Sequence, residues 1–403
     1  MPAGRSGWRL LLHRLLLLLN MLCVLPGLLA LLAPFVPSTS WFVPSVLALF
    51  APYLLLPALL WALLWASSRR WIWLLANIGI LALGWPQLRA SLQLNGQGAA
   101  NRYDIRVISL NVNAFGYRHK NFEQLRTFLA KYRPDIVCLQ EFYEQQRLRP
   151  DYFQRLKKTL GLKYHEFIEL YPGKRFGLLF LSRYPITDAG AVTEINPKTK
   201  NGIAYADLSL YGQALRVYNL HLESYSLSPA QRKALYETVA DAEPRRRRRK
   251  RQPGPKNNED YEQRPSEPHP ERPLPPQPPV EADLNAWEMI KVMVKKWRIQ
   301  ENQLALLQDH RTAWQGRPSL LCGDLNNPPY THIYYAARAE LQDCYMLKGN
   351  GLGHTYGRGL TAMRIDYVMA SKHLSTHRYQ TLDTEGISDH KAVLVSLRFG
   401  FHN

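Results

Sequence analysis

The apolar composition of the first hundred residues constrains this chain more than any other feature. Residues 1–100 contain six basic side chains and no acidic one, and three runs within them carry no charge: residues 15–36, 41–66 and 71–85. The first two runs are long enough to cross about 30 Å of hydrocarbon as helices. The third is short for a span, but tryptophans lie at both of its ends, as is typical of interfacial aromatics. The sequence therefore predicts an all-α transmembrane region of three helices over residues 1–98.

Basic residues predict the orientation of these helices. Arginines precede the first run and separate the second from the third, whereas residues 37–40 carry none, so the N-terminus is expected in the cytoplasm. Three crossings then place the chain after residue 90 on the other side, which in a bacterium is the periplasm or the exterior. If the third run does not cross the membrane, the chain after residue 90 is expected on the cytoplasmic side instead. A cleavable signal peptide is disfavoured because the apolar core of residues 15–36 is too long and a second span follows directly.

After the membrane region, strand-like and helical patterns alternate. Residues 104–111 predict a buried strand, residues 122–132 have helical spacing, and residues 135–140 predict a second apolar strand, which together form a β-α-β unit. The pattern predicts an α/β sandwich over residues 99–403. Further strands are predicted at residues 177–182, 204–211, 215–221, 319–322, 363–370 and 392–398, and helices near residues 230–240 and 284–315.

Residues 243–283 interrupt this alternation. A basic run over residues 245–251 is followed by a proline-rich stretch with almost no apolar side chains. Such a segment cannot bury a core, so a disordered insertion within the domain is predicted. Three interpretations of the basic run stay open: it contacts anionic lipid headgroups, it contacts nucleic acid phosphates, or it is an ordinary solvated cluster of charges.

The formal charge of +19 does not by itself select a nucleic-acid-binding function. The membrane region carries +6 and the insertion +2, which leaves +11 for the rest of the chain. This excess favours phosphate-bearing ligands in general, and it does not distinguish DNA from lipid. The cysteines are widely spaced and form no CxxC pair, so they indicate neither a disulfide framework nor a zinc site.

Polar side chains occur where several of the apolar strands end, which is where ligand clefts form in α/β sheets. Taken singly, each of these side chains has an ordinary structural explanation. It belongs to a turn, caps a helix, or is a core histidine with its own hydrogen-bond partners. Together they supply what phosphoester hydrolysis needs, namely oxygen ligands for a cation, a base, and groups that balance developing charge. These residues are Asn111, Asn113, Glu141, His221, Asp324, Asn326, Asp366, Asp389 and His390.

The residue types indicate a division of roles. A carboxylate at Glu141, supported by Asn111 and Asp389, suits a hard cation such as Mg²⁺, with Mn²⁺ as an alternative. Asp324 can accept a proton from the attacking water, and Asn326 can donate a hydrogen bond to a phosphoryl oxygen. Two histidines remain to balance charge on the nucleophile and the leaving group.

In this order, the motifs resemble the endonuclease/exonuclease/phosphatase superfamily of metal-dependent phosphohydrolases over about residues 105–397, apart from the insertion. The resemblance implies a four-layer α/β/β/α sandwich with two central sheets and a phosphoric ester hydrolase activity. It implies that His390 contacts the scissile phosphate and that Asp366 orients this histidine. Asn111 and Glu141 match the metal site of the family.

The strand that ends at His221 distinguishes branches of this superfamily. A histidine there resembles the deoxyribonuclease I and neutral sphingomyelinase branches and implies a leaving-group acid, whereas the exonuclease III branch carries an Asn-x-Tyr-x-Pro pattern. Inositol-polyphosphate 5-phosphatase activity is disfavoured because Cys322 and Pro328 depart from the pattern of that branch. Asn113, where several relatives have aspartate, is expected to weaken a metal ligand or to move it away from the ion.

The membrane tether favours a substrate close to the bilayer, because it raises the local concentration of lipid headgroups around the active site. The leading prediction is a membrane-anchored, Mg²⁺-dependent phosphodiesterase or phosphatase, acting on a phospholipid or another membrane-proximal phosphoester on the extracytoplasmic side. A nuclease acting on DNA or RNA is the alternative. A non-catalytic binding module is disfavoured by the intact set of motifs, and no protein partner is predicted.

Overall fold

A computed structural model describes most of the chain. The predicted helix at residues 230–240 and the predicted insertion at residues 243–283 lie outside the described part. The described residues are 4–96, 98, 104–113, 119–143, 152–173, 175–193, 200–225, 286–357, 362–384 and 386–400.

Helices and strands are numbered along the chain. The helices are α1 (Gly4–Ala30), α2 (Phe42–Ala48), α3 (Ala51–Leu54), α4 (Leu56–Ser67), α5 (Trp71–Leu83), α6 (Trp85–Ser91), α7 (His119–Tyr132), α8 (Tyr152–Leu160), α9 (Ala286–Thr312), α10 (His332–Arg338) and α11 (Cys344–Lys348). The strands are β1 (Gln93–Leu94), β2 (Ile105–Asn111), β3 (Ile136–Tyr143), β4 (Tyr164–Tyr171), β5 (Phe176–Ser182), β6 (Ile186–Ala191), β7 (Gly202–Leu210), β8 (Gln213–His221), β9 (Ser319–Asp324), β10 (Gln342–Asp343), β11 (Asn350–Gly351), β12 (Asp366–Ala370), β13 (Leu374–Leu382) and β14 (Ala392–Phe399).

Two six-stranded sheets form the centre of the sandwich, in the orders β13-β14-β2-β3-β5-β4 and β10-β12-β9-β8-β7-β6. Apolar side chains such as Val107, Val217 and Val368 fill the space between the sheets. The other face of the first sheet packs against α7 and α8 through residues such as Phe122 and Leu156. On the second sheet, Tyr367 of β12 packs against Tyr334 of α10. The predicted mixed α/β sandwich is confirmed.

A buried amide pair ties the two sheets together. Asn219 of β8 donates to the backbone carbonyls of Leu139 and Leu179 at 3.2 Å each, and its side-chain oxygen accepts from Gln140 at 2.7 Å. Both amide side chains are fully buried, so the alternative to these bonds is a desolvated polar group. The contact fixes the spacing of the sheets beside the ends of β3 and β8.

The membrane region differs from three straight helices. α1 is the one helix of the described part that is by itself long and apolar enough to cross a membrane, over residues 8–30. The expected second and third spans are bent, by 88° between α2 and residues 51–67 and by 48° between α5 and α6. The region therefore supplies one span, or up to three if each bent pair counts as one.

Proline explains the bends. Pro52, Pro57 and Pro86 lie in the first turns of α3, α4 and α6. Proline has no N–H and clashes with the preceding turn, so a helix stops before it and a new one starts with it. The uncharged runs were correctly located as apolar segments, but charge and length alone did not predict where their helices break.

Polar side chains connect the N-terminal helices to one another. Asn20 of α1 accepts hydrogen bonds from the indole N–H of Trp65 at 2.7 Å and from the amide of Asn77 at 3.0 Å. Small residues and buried hydrogen bonds are typical of helix contacts in lipid, where apolar surface gives no preference for protein over lipid. The outer surface exposes large apolar side chains such as Leu60 and Leu75, which are 66% and 64% exposed.

The membrane region also contacts the sandwich directly. In the loop after α1, the Ser38 N–H and the Thr39 hydroxyl donate to the Glu301 carboxylate of α9 at 2.8 and 2.6 Å. At the end of α6, the Ser91 hydroxyl lies 2.7 Å from the Tyr330 hydroxyl, and β1 pairs with β11. Two separate parts of the membrane region are therefore attached to one side of the sandwich.

Candidate active site

Three of the predicted site residues form one row across the second sheet. β8 and β9 are parallel with His221 opposite Asp324, and β12 is antiparallel to β9 with Asp366 opposite Asp324. Side chains of directly opposed residues project from the same face of a sheet. Strand register therefore brings together residues that are more than 140 positions apart in the chain.

The Asp324 carboxylate is the centre of the site and is 1% exposed. Its Oδ2 atom accepts a hydrogen bond from Asn111 Nδ2 at 3.2 Å, and it lies 3.9 Å from His221 Nε2 and 3.8 Å from His390 Nε2. Its Oδ1 atom accepts from the backbone N–H of Asn326 at 2.7 Å. Asn111 comes from the first sheet, so the site lies between the ends of the two sheets.

Burial and neighbouring charges set the protonation of the central pair. Burial and the Asp366 carboxylate raise the pKa of Asp324 to about 6, although His390 and His221 act in the opposite direction. Burial lowers the pKa of His390, but Asp366 and Asp324 outweigh it and raise this pKa to about 10. Between these values Asp324 is an ionised proton acceptor, and His390 is a protonated donor.

Asp366 fixes the orientation of His390. Its Oδ2 atom lies 2.9 Å from His390 Nδ1, so the other ring nitrogen faces Asp324. The Thr355 hydroxyl accepts the backbone N–H of Asp366 at 3.1 Å, and the Tyr356 ring lies 4.8 Å from the imidazole centroid. The predicted role of Asp366 as the residue that orients the histidine agrees with this geometry.

Glu141 reaches the site through a β-bulge. The register of β3 against β5 shifts between Leu139 and Phe142, and Glu141 lies in the bulge with a φ of 51°. A bulge redirects a side chain that regular pleating would point elsewhere. Its Oε1 atom accepts from Asn111 Nδ2 at 3.1 Å and lies 3.4 Å from His221 Nε2.

Asp389 joins this arrangement only indirectly. Asn113 donates its backbone N–H to Asn111 Oδ1 at 2.9 Å and its side-chain N–H to Asp389 Oδ1, also at 2.9 Å. Asn111 and Glu141 are therefore neighbours, whereas Asp389 is linked to them through Asn113. Asn113 thus connects two predicted ligands by hydrogen bonds.

Three of the predicted site residues have a left-handed backbone conformation, which five other non-glycine residues of the described part also adopt. Asn113, Glu141 and Asn326 have φ angles of 45°, 51° and 51°, in the left-handed region. This region costs a non-glycine residue about 1–2 kcal/mol, and least for asparagine, whose side chain bonds locally. Strain of this kind persists where the surrounding structure enforces it, as at active sites. At Asn326 the side-chain amide donates to the Leu222 carbonyl at 2.9 Å.

The side chains that could coordinate a cation indicate where one would fit. Within the described residues, one group of acidic and histidine side chains, Asp324, Asp366 and His390, has ligand atoms within 4.8 Å of one another. In this group His390 Nδ1 lies 2.9 Å from Asp366 Oδ2, so these two side chains are already engaged with each other. Glu141 beside Asn111 offers a partly exposed carboxylate, which fits a hard cation such as Mg²⁺ or Mn²⁺.

The structure adds residues that motif reasoning did not identify. The Ser388 hydroxyl donates to the Asn111 carbonyl at 2.7 Å and accepts the His390 N–H at 3.1 Å, so it joins the connection between β13 and β14 to the end of β2 in the first sheet. Its place in the closing Ser-Asp-His motif was a usable signal. Thr355 and Tyr356 lie in an irregular segment, and nothing in the local pattern marks them.

Several solved structures are similar to this chain at low sequence identity. An endonuclease/exonuclease/phosphatase family protein from Leptotrichia buccalis is 15% identical, with a TM-score of 0.48 over 73% of this chain and 100% of that one. The human Nocturnin catalytic domain is 18% identical, with a TM-score of 0.46 over 75% and 97%. A mannosyl-6-phosphatase from Bacteroides thetaiotaomicron is 15% identical, with a TM-score of 0.46 over 73% and 100%.

Family models match both parts of the chain. A model described as a domain of unknown function matches residues 13–91, within the membrane region. No curated protein matches the sequence. The model of the Endonuclease/Exonuclease/phosphatase family matches residues 108–390, a range that contains every predicted site residue. This match covers more than half of the chain, and the protein belongs to the Endonuclease/Exonuclease/phosphatase family.

Proposed function

We propose that this protein is a membrane-anchored phosphoester hydrolase, a phosphodiesterase or a phosphatase, that depends on a divalent cation. The observation that carries the proposal is the buried Asp324 carboxylate, with Asn111 at 3.2 Å and the protonated His390 at 3.8 Å. An acceptor and a donor on one side of a site are what attack on a phosphoryl group requires. Membership of a family of phosphoester hydrolases supports the same reaction class.

The proposed reaction follows from the positions of three side chains. Asp324 accepts a proton from water as the water oxygen bonds to phosphorus, and a pKa of about 6 makes this carboxylate an effective base near neutral pH. His390, held by Asp366, donates a hydrogen bond to the phosphoryl oxygen, where negative charge develops. His221 provides the proton that the leaving oxygen takes up as its bond to phosphorus breaks.

Glu141 and Asn111 are the residues we propose to hold the cation, with Asp389 contributing through Asn113. A bound Mg²⁺ or Mn²⁺ polarises the phosphoryl group and neutralises developing charge. The strained Glu141 backbone supports this role, because the bulge points the carboxylate at the site and gives no other evident benefit.

We also propose that the sandwich lies on the side of the membrane opposite the N-terminus. Residues 38–39 and Ser91 contact the same sandwich, through Glu301 and Tyr330. The chain between these contacts therefore starts and ends on one side, whether the bent helices cross fully or re-enter. α1 alone then decides the side, and the arginines at its start favour a cytoplasmic N-terminus. This argument does not depend on the third run crossing by itself.

A pair of reporter fusions tests this topology. We expect an enzyme that is active only in the cytoplasm to be active when fused before Met1 and inactive when fused after Asn403 of the full chain. The N-terminal fusion is the matched control for expression and for membrane insertion. Comparable activity at both ends would contradict the proposed side, because it would place both termini in the cytoplasm.

The division into a membrane region (residues 1–98) and a catalytic domain (residues 99–403) with an insertion at residues 243–283 remains part of this proposal. β1 and Ser91 precede the boundary but bond to the sandwich, so removal of residues 1–98 would uncover Tyr330 and the edge of β11. Activity is therefore best measured with the full chain in lipid nanodiscs. The basic run at residues 245–251 lies outside the described residues, and its three interpretations stay open.

A substrate panel tests the proposed function. Full-length protein is assayed with phosphatidylinositol phosphates and sphingomyelin in nanodiscs, with plasmid DNA and RNA, and with bis(p-nitrophenyl) phosphate. We expect hydrolysis of a lipid phosphoester that chelation of divalent cations abolishes and that added Mg²⁺ or Mn²⁺ restores. The Asp324→Ala variant is the control for a contaminating enzyme. Cleavage of nucleic acid alone would overturn the lipid preference and support the alternative of a nuclease.

A further inference from the structure

A small apolar surface lies where the chain leaves the membrane region. In β1, Gln93 is only 4% exposed, whereas its neighbours Leu92 and Leu94 are 47% and 83% exposed. Leu352, directly after β11, is 63% exposed. An antiparallel ribbon beside a core normally buries its apolar side chains and exposes its polar ones. Here the pattern is reversed.

Three exposed leucines lie at this ribbon. β1 and β11 are antiparallel, with Leu94 opposite Asn350 and the buried Gln93 opposite Gly351. Side chains alternate between faces along a strand, so Leu92 and Leu94 lie on the outward face. Leu352 follows Gly351, whose φ of 76° ends the extended strand, and its exposure places it at the surface beside the ribbon. We refer to Leu92, Leu94 and Leu352 as the leucine rim.

The leucine rim continues the apolar surface of the membrane helices. Leu92 directly follows α6, whose first residue, Trp85, is 59% exposed, and Leu83 at the end of α5 is 67% exposed. Tryptophan at this position is typical of the boundary between lipid and water. Only α6 lies between this boundary and the rim; it contains Gln87 and the exposed Arg89 as well as Leu88. Leu92 follows Trp85 by seven residues, about 11 Å along a helix, and this closeness to the interfacial tryptophan identifies the bilayer as the surface that covers the leucines.

The rim also lies close to the active site along the chain. Leu352 precedes Tyr356 by four residues, which span at most about 14 Å. The Tyr356 ring lies 4.8 Å from the His390 imidazole. On the other side of the site, Asp324 precedes Tyr330 by six residues, which span at most about 21 Å. Tyr330 packs against Ala30 and Ala33 at the end of α1.

We propose that the leucine rim rests in the membrane leaflet on the side of the sandwich and that it presents amphiphilic substrates to the active site with the phosphoester at the interface. The inference rests on the proposed function and names the substrate class: an amphiphile whose acyl or other apolar part remains in the leaflet. Segments 352–356 and 324–330 both lead from the site to the membrane, so a phosphoester in the interface lies within their reach.

A paired kinetic measurement tests the proposal. The double variant Leu94→Ser/Leu352→Ser is compared with wild type in nanodiscs, with a lipid phosphoester and with soluble bis(p-nitrophenyl) phosphate. Both leucines are exposed, so folding is not at risk, and the rate on the soluble substrate is expected to stay within about twofold. The rate on the lipid is expected to fall about tenfold, mainly through the apparent KM. Equal losses on both substrates, or no loss on either, would overturn the proposal.

Tyr211→Ser is the matched control. Tyr211 is 77% exposed and lies in the turn before β8, whereas His221 ends that strand, so about 30 Å separates it from the site. It is an exposed aromatic side chain, and its hydrogen bond and ring contact within the described residues are with Tyr184. We expect its rates on both substrates to equal those of wild type. A tenfold loss specific to the lipid in this variant would show that any exposed apolar side chain has the effect, and would overturn a role particular to the rim.

A spectroscopic readout separates this inference from the proposed function. The other three cysteines are buried, so in a Cys23→Ala background an environment-sensitive dye attached to Leu352→Cys or Tyr211→Cys reports on one site each. Lipids with a quencher near the headgroup are expected to quench the dye at position 352 and not at 211. Equal quenching at both positions, or none at 352, overturns the proposal. Quenching at 352 in a protein that hydrolyses no phosphoester supports the rim as a membrane contact and overturns the proposed function.

Discussion

Replacing Asp324 with asparagine is expected to lower kcat/KM on the order of 1,000-fold and, at neutral pH, to make the protein more stable. The first effect follows because asparagine keeps the shape of the carboxylate and one of its two acceptor oxygens, but it cannot accept a proton from water. Steady-state kinetics with the substrate that the panel identifies measures this loss. The wild-type rate is expected to fall as the pH drops below about 6, where Asp324 becomes protonated.

The second effect follows from the sign of the pKa shift. The pKa of Asp324 rises from an ordinary value of 3.8 to about 6 on folding, so its protonated form favours the folded state. This favourable contribution is complete below pH 3.8 and is lost as the pH rises through 6. At pH 7.5 the ionised carboxylate costs on the order of 2–3 kcal/mol, which asparagine does not incur. Thermal unfolding should therefore show a higher Tm for Asp324→Asn at pH 7.5 and a smaller difference near pH 4.

A buried aspartate elsewhere in the same sheet serves as the control. Asp343 accepts hydrogen bonds from Arg364 at 2.8 Å and from the Tyr334 hydroxyl at 2.7 Å, and Arg364 is 4% exposed. Asp343→Asn leaves a buried guanidinium without its counter-ion and is expected to destabilise the protein by about 3–5 kcal/mol. A Tm for Asp324→Asn below that of wild type at pH 7.5 would contradict the assignment of Asp324 as a functional residue held at a cost in stability.

Loss of the His390 imidazole is expected to lower kcat on the order of 100–10,000-fold, with no further loss when Asp366 is also replaced. Asp366 acts through His390, to which it is bonded at 2.9 Å, so the two residues form one unit. The single variants His390→Ala and Asp366→Asn and the double variant make a cycle in kcat. Losses that multiply in the double variant would contradict a positioning role for Asp366.

The pH profile of Asp366→Asn provides a readout that general damage would not produce. Burial alone lowers the pKa of His390, and Asp366 has the largest effect of the three carboxylates that raise it to about 10. A histidine with a raised pKa keeps its proton until the pH passes that value, so wild-type activity is expected to persist to about pH 10. In Asp366→Asn this basic limit is expected to move towards neutral pH. An unchanged basic limit would indicate that His390 does not act in its protonated form.

Buried strands were predictable from sequence because they lie between two covered faces. β2, β3, β5 and β9 are buried along nearly their whole length, and each contains mainly apolar residues along its buried part. β4, β6 and β13 were not predicted, since they lie at sheet edges and have partly exposed side chains. An edge strand needs no apolar run, and its pairing partner decides its structure.

The site residues divide in the same way, into those that the sequence identifies and contacts that only the fold creates. His221, Asp324 and Asp366 were identifiable because each ends an apolar strand within a recognisable motif. That they stand in one row depends on the register of β8, β9 and β12, which pairs positions far apart in the chain. Two further contacts depend on loop conformations, for which the sequence carries no periodic signal. They are the link from Asn111 to Asp389 through Asn113 and the approach of Tyr356 to His390.

The sequence by itself determined that an apolar, arginine-flanked segment precedes an α/β hydrolase of the Endonuclease/Exonuclease/phosphatase family, and which residues are candidates for its chemistry. Hydrophobic patterning and short motifs are local properties, so the chain displays them before it folds. Only the tertiary structure decided that α1 and the chain beyond α6 meet the same sandwich, and that the leucine rim is exposed beside the membrane helices. These are relations between distant segments, and packing and strand pairing alone create them.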